Sequence, residues 1–379
     1  MNLFDWRLDW QTLDERFEWI RAMRGCPQDP EFHAEGDVWI HVKMVCDALR
    51  GLDDWQALSE SERHILFAAA LLHDVAKPAC TRMENDRITS RGHSQRGAIQ
   101  ARRILWEQSA DFAMREQVCA LIRYHQAPFY LMQRPDALRT AFLISQTAPC
   151  DLLAILAKAD ALGRECGDRA DLLARVELFR EFCSEQECLD RPRAFPSALS
   201  RFQYFRAVRR DPDYLAHDDS TCEVLLMSGL PGAGKDTWIQ RHAPDMLEMI
   251  SLDAIREEIG APPVGNQGPV IQLARERARA LLRRCEGFVW NATNLSQEMR
   301  GPLIDLFTAY RARTKIVYVE ASYHRLFVQN RERRKAVPVS AIERMMERWE
   351  LPDPTEAPSV EFWENGEQIR MGLKPVRTD

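Results

Sequence analysis

VLLMSGLPGAGKDTW, residues 224–238, decides the architecture of the C-terminal half of this chain. The apolar, strand-prone run Val224–Met227 leads into GLPGAGK, a match to G-x-x-x-x-G-K, and a helix-like stretch follows. Strand, glycine loop, helix is the setting in which this motif holds phosphate. Its glycines let backbone N–H groups approach phosphate oxygens, the helix N-terminus favours anions, and Lys235 reaches the terminal phosphates. Gly229, Gly232, Gly234 and Lys235 are therefore candidate nucleotide-binding residues. A chance glycine turn is the plainer reading, and the flanking strand and helix count against it. One position departs from the usual pattern. Asp236 stands where Ser or Thr normally meets Mg²⁺, and Thr237 carries the hydroxyl one place later. Both join the candidate set, Asp236 as a water-mediated Mg²⁺ contact.

Outward from that loop, EVLLMS, EMISLD, GFVWNAT and KIVYVEA alternate with helix-length segments. This is the pattern of βαβ units and a parallel sheet. Phosphoryl transfer also needs a base for the acceptor hydroxyl and cations for the transition-state charge. Asp253 ends the apolar run Met249–Leu252, at the sheet edge where α/β folds bind ligands. Arg256 lies one helical turn further on. For Asp253 the plainer reading is a helix N-cap. Between Arg311 and Lys335 there are eight Lys or Arg against two Glu. A solvated helix face explains such a run most simply, but Tyr323–Lys335 is also where a P-loop enzyme would carry lid arginines.

The first ~190 residues read as helices, with no alternating strand-like segment. Val38–Leu49 is amphipathic, Ile65–Leu72 is rich in Ala and Leu, and Asp151–Leu162 repeats the apolar pattern. Prolines and a DPD cluster between Asp190 and Ser220 mark a connection. The expected organisation is an all-α domain over 1–190, a linker over 191–220 and an α/β P-loop domain with a parallel sheet over 221–379. Six of the nine histidines fall within the first 125 residues. Adjacent His73 and Asp74 at a helix end can bind one metal or bridge two. His41 and Asp160 sit on apolar helices, while His64, in S-E-R-H, reads as an exposed first turn. For any single histidine a hydrogen-bonded core residue is the simpler account; the clustering is what favours metal.

A net charge of -6 leaves no global field to draw the chain onto nucleic acid or an anionic membrane, so any such site must be a local basic patch. Ten scattered cysteines without a C-x-x-C pair read as reduced thiols in a cytoplasm. No apolar run approaches ~18 residues, so no membrane partner is expected.

GLPGAGKDTW, SLDAIR, WNATNLSQEMR and NRERRKAVP together resemble the polynucleotide 5′-hydroxyl kinase family over about residues 223–352. The resemblance implies Asp253 as general base and Arg256 as a contact to an acceptor-strand phosphate. It places Thr293 and Asn294 in the site and Arg331 and Arg334 in the lid, with ATP or another NTP and Mg²⁺ as cofactors. HAEGDVWIHVKMV, LLHDVAKP, GHSQRGA and YHQAP resemble the HD phosphohydrolase superfamily over about residues 33–164, especially the HD domains attached to tRNA nucleotidyltransferases. That resemblance implies His41, His73, Asp74 and Asp160 as core metal ligands and His93 and His125 as further ligands or phosphate-binding groups. It adds His33 as an extra member and Lys77 as a phosphate contact. The expected metal is divalent, such as Mn²⁺, Co²⁺, Ni²⁺, Zn²⁺ or Cu²⁺. The two modules in one chain resemble bacterial bifunctional end-healing enzymes. Such an enzyme phosphorylates 5′-OH ends and removes 2′,3′-cyclic, 2′- or 3′-phosphates from RNA or DNA ends, work that invites a separate ligase as partner. The alternatives are a nucleoside or small-molecule kinase fused to an HD nucleotidase, and an HD nucleotide-sensing module fused to a kinase.

Overall fold

The computed structural model describes residues 5–7, 10–207, 209–262, 265–333 and 335–372. The chain divides into two compact units. One takes in residues up to Arg193 with Gly372, the last described residue, and the other runs from Ala194 to Met371.

The first unit is helical, as expected. Its core is the helix Glu60–Leu72, in which every residue from Ile65 to Leu72 is buried. Ser59 starts it with a capping box: the hydroxyl accepts from Glu62 N and the Glu62 carboxylate accepts from Ser59 N. Each large apolar side chain so buried contributes about 1.5–3 kcal/mol. The helix Cys150–Leu162 packs on both Val38–Arg50 and Arg169–Glu185. Its approach to Val38–Arg50 depends on Gly163, where a Cβ would lie 2.7 Å from Val45 N. That close crossing brings His41 and Asp160, one from each helix, to the same point. Within this unit, two short strands, β1 (Arg82–Glu84) and β2 (Arg87–Thr89), form a small antiparallel hairpin that the sequence did not signal. Their turn, Asn85-Asp86, has positive φ at both residues, the geometry of a two-residue hairpin turn. No single described helix is long and apolar enough to cross a membrane.

The second unit carries a six-stranded sheet of β3 (Cys222–Ser228), β4 (Glu248–Ser251), β5 (Phe288–Asn291), β6 (Ala312–Glu320), β7 (Ser359–Glu364) and β8 (Glu367–Ile369). The order is β4-β5-β3-β6-β7-β8, parallel throughout except for the final pair. The four expected strands are present, and the last two were not anticipated. The chain leaves central β3 for one side and returns to the other through β6. The C-terminal end of β3 is therefore a topological switch point, where open α/β sheets bind ligands. The segment read as a linker over 191–220 is largely part of this unit. Ser197 caps the helix Ala198–Arg206, and Phe202 enters the core beside Val224, Leu226 and Phe307.

Candidate functional site

In the helical unit, the elements deliver six ligand-type side chains to one buried point. His73 ends the helix Glu60–Leu72 and Asp74 follows it. His125 ends Phe112–Tyr124, and His93 opens His93–Glu107. All six, with His41 and Asp160, are at most 5% exposed. Three rings are fixed in the same way. Nδ1 donates to a carbonyl three residues back: His73 to Ala70 (2.7 Å), His93 to Ser90 (2.7 Å) and His125 to Ile122 (2.8 Å). With Nδ1 holding the proton, a neutral ring presents the Nε2 lone pair to the centre.

Those Nε2 atoms meet. His41 and His73 are 3.4 Å apart, and His93 and His125 are 3.3 Å apart. Two lone pairs facing each other repel unless a cation lies between them. Asp74 links the two pairs. Its Oδ2 is 3.2 Å from His73 Nε2 and 3.7 Å from His41 Nε2, and its Oδ1 is 3.3 Å from His93 Nε2. Asp160 Oδ1 lies 3.2 Å from His41 Nε2. Both oxygens of Asp74 are buried; Oδ2 meets Lys77, but Oδ1 has no hydrogen-bond partner, an arrangement natural structures avoid unless something else binds there. The six residues thus form two groups, His41–His73–Asp160 and Asp74–His93–His125, and a third set of ligand-type atoms, His33–Glu35–His41, adjoins the first through His41. Mixed imidazole and carboxylate donors suit divalent transition metals, so the side chains present fit such an ion.

The electrostatics agree. Burial, reinforced by the neighbouring histidines, pushes His125 down to about 3, and burial also lowers His93, so both are neutral near pH 7 and free to ligate. Burial opposes charge on His73 too, but Asp74 and Asp160 outweigh it and raise its pKa. Lys77 Nζ stands 2.7 Å from Asp74 Oδ2 and donates to Gln28 Oε1 (2.7 Å). Arg164, four residues after Asp160 on the same helical path, grips it with Nε (2.9 Å) and Nη2 (2.6 Å). His33 lies beside the centre, its Nδ1 2.7 Å from Glu35 Oε1, and burial lowers it to about 4. His64 stands apart against Trp6. Arg164, Gln28 and Glu35 were not singled out from the sequence. The i,i+4 spacing of Asp160 and Arg164 was the available signal for the first.

In the sheet unit, the loop after β3 has the shape the motif demands. Gly229 has φ +143°, and a Cβ there would lie 2.2 Å from Val319 O. Gly232 and Gly234 are also left-handed, and Gly234 caps the helix Lys235–His242. Lys235 Nζ donates to Gly229 O (2.8 Å) and Leu230 O (2.9 Å). Burial lowers it to about 8; Arg333 adds to that, and Asp236 and Asp253 act against it. Those three charged groups therefore share the lysine's surroundings. Asp236 Oδ1 accepts from Asn291 Nδ2 (2.7 Å) at the end of β5, a partner the sequence did not disclose, and Thr237 is exposed beside it.

Thr293 and Asn294 brace the loop from behind. Thr293 O accepts from Gly229 N (2.9 Å), Asn294 O accepts from Ser228 Oγ (3.0 Å), and Asn294 Nδ2 donates to Met227 O (2.8 Å). Asn294 is 3% exposed, so its amide serves the loop rather than a ligand. The capping account of Asp253 fails. Ser251 caps Leu252–Glu258, accepting from Ala254 N (3.3 Å), and Asp253 sits one residue inside with its side chain 70% exposed. Arg256 binds the Asp253 carboxylate and donates through Nε to Gln267 Oε1 (2.9 Å). Of the basic run, it is Arg333 that reaches Asp253, with Nη2 3.8 Å from Oδ2. The helix Tyr323–Glu332 stops before it, while Arg331 is exposed and pairs with no described acid. Arg334 lies outside the described residues.

Residues 38–165 match the family model described as HD domain, and residues 224–352 match the one described as AAA domain. The chain thus joins a helical HD domain to a P-loop domain with a mostly parallel sheet. Among solved structures, a Chloroflexus aurantiacus protein assigned as a kinase is 18% identical over 40% of this chain and 91% of its own, with a TM-score of 0.34. A sugar kinase from Janibacter sp. HTCC2649 is 17% identical over 38% of this chain and 85% of its own, with a TM-score of 0.31.

Proposed function

We propose that this chain heals broken nucleic-acid ends, phosphorylating 5′-hydroxyls with an NTP and removing 2′,3′-cyclic, 2′- or 3′-phosphates at a divalent-metal centre. The observation that carries this reading is the presence, in one chain, of two sites for opposite phosphate chemistry: the convergent His/Asp centre and the loop of Lys235 with Asp253 beside it. In the kinase site, Asp253 accepts the proton of the 5′-hydroxyl as the new O–P bond forms and the bond from the γ-phosphorus to the bridging oxygen breaks. Lys235 and Arg333 balance the charge on the transferring group. Arg256 holds a phosphate of the acceptor strand. In the HD site, His41, His73 and Asp160 would hold one ion and Asp74, His93 and His125 a second. Bound metal supplies Lewis acidity and an activated water, while Lys77 and Arg164 set the charge around the leaving phosphate. Incubation of pure protein with end-labelled oligonucleotides tests both halves. A 5′-OH strand should gain phosphate with NTP and Mg²⁺, and a 2′,3′-cyclic end should open and lose phosphate with Mn²⁺, Co²⁺ or Ni²⁺. Phosphorylation of nucleosides or sugars with none on oligonucleotides would overturn the polymer substrate.

Because Ser251 does the capping, Asp253→Asn isolates the chemical role. Transfer should fall ~100-fold or more, the scale of acid–base catalysis, with NTP binding retained. Arg256→Ala should impair oligonucleotides and 3′-nucleotides far more than a bare nucleoside, and should flatten the salt dependence of strand binding. Equal loss on both acceptors would remove the strand-phosphate role.

A further inference from the structure

Glu35 lies outside both ligand groups that bridge through Asp74, yet it is placed to control one of them. Its Oε1 is 2.9 Å from His41 Nδ1 and 2.7 Å from His33 Nδ1, and its Oε2 accepts from Glu165 N (2.9 Å). The carboxylate is 1% exposed. His41 is the odd one among the four ligand histidines. His73, His93 and His125 each spend Nδ1 on a carbonyl of their own helical turn. His41 sits in the first turn of Val38–Arg50, and its Nδ1 faces Glu35 instead. We propose that Glu35 is the positioning residue of the His41–His73–Asp160 site: by accepting the proton that His41 Nδ1 presents in a hydrogen bond, it fixes the tautomer that offers Nε2 to the ion. The bond from Glu165 N ties this control to the chain just beyond Arg164, so the loop before Val38 and the end of Cys150–Leu162 set the ring together. Carboxylate–histidine–metal relays of this kind typically alter metal affinity by ~10–100-fold when broken.

The inference rests on the two-ion reading above, and the test separates the two. Full-length protein is stripped with chelator, and Mn²⁺ binding is followed by calorimetry, with metal content measured after dialysis. Wild-type protein should bind two equivalents. Glu35→Gln, the same size but uncharged and without a second oxygen to accept from Glu165 N, should weaken one equivalent by ~10–100-fold. The other, held by Asp74, His93 and His125, should be unchanged. A purely structural role would weaken both equally, and that result overturns the proposal, as does wild-type affinity at both sites. A third equivalent removed by Glu35→Gln would also overturn it, because Glu35 would then be a ligand itself. Wild-type protein that binds no metal would instead sink the metal-centre reading. If Glu35→Gln does not fold, Glu35→Asp, which keeps the charge but withdraws it by one methylene, is titrated in its place. The same one-site loss is expected, and two unchanged sites overturn the proposal.

Discussion

Asp74→Ala should leave no measurable phosphate removal and strip both metal equivalents, while 5′ phosphorylation is expected to continue. Asp74 is the one side chain whose two oxygens serve both ligand groups, Oδ2 toward His73 and His41 and Oδ1 toward His93. Changes to residues merely supporting a metal ligand cost up to ~100-fold in affinity, and losing a shared ligand costs more. The variant also leaves Lys77 buried without its acid, a situation that costs about 3–5 kcal/mol, so thermal unfolding is measured alongside. Asp74→Asn keeps the volume and separates the two effects. His73→Ala should abolish phosphate removal as well, but leave the Asp74–His93–His125 group able to hold an ion. Full phosphohydrolase activity in either alanine variant would refute the centre. The kinase is spared because Lys235 and its surroundings belong to the other compact unit.

Lys235→Ala produces the reciprocal pattern. It removes the one cation inside the β3 loop, and the loss of a single preorganised charge-stabilising donor costs ~10²–10³-fold or more in rate. Lys235→Arg should not rescue. The ammonium fits between Gly229 O and Leu230 O, and a planar guanidinium cannot adopt that compact donor geometry. Steady-state kinetics with a 5′-OH oligonucleotide reads the loss, and a 2′,3′-cyclic phosphate substrate provides the control. Loss of both activities in a folded variant would mean the two chemistries are coupled.

The P-loop and the converging His/Asp cluster were legible because most of their residues stand at a local signal, a glycine run or a helix end, that fixes the backbone. His73 and Asp74 follow an unbroken apolar helix, and Asp160 closes another. What was not legible depends on chain ends and crossings. The arginine run gave composition, but which arginine faces Asp253 depends on where the helix stops. It stops at Glu332, which frees Arg333 to turn back and leaves Arg331 exposed. Glu35 gains its role only when a loop meets Glu165, 130 residues away. β7, SVEFWE, carries two Glu among its six residues and shows no apolar run, and β8 has three residues, although Asn365-Gly366, with positive φ at both residues, is a hairpin signal. Pro192, Pro196 and Pro212 made residues 191–220 look like a linker, yet they bracket a nine-residue helix that contributes Phe202 to the core.

With burial lowering its pKa to about 8, Lys235 should make nucleotide binding a proton-uptake reaction. Phosphate oxygens favour the ammonium, so protein whose lysine is neutral must first gain a proton from solution. Below about pH 7 the lysine is already charged and affinity is flat. Above pH 8 affinity falls with rising pH, approaching about tenfold per unit, as one unmet protonation requires. Calorimetry near pH 8.5 should therefore give binding heats that differ between buffers of high and low ionisation enthalpy, because the buffer supplies the missing proton. Equal heats in both would show that the lysine keeps its charge inside the empty loop.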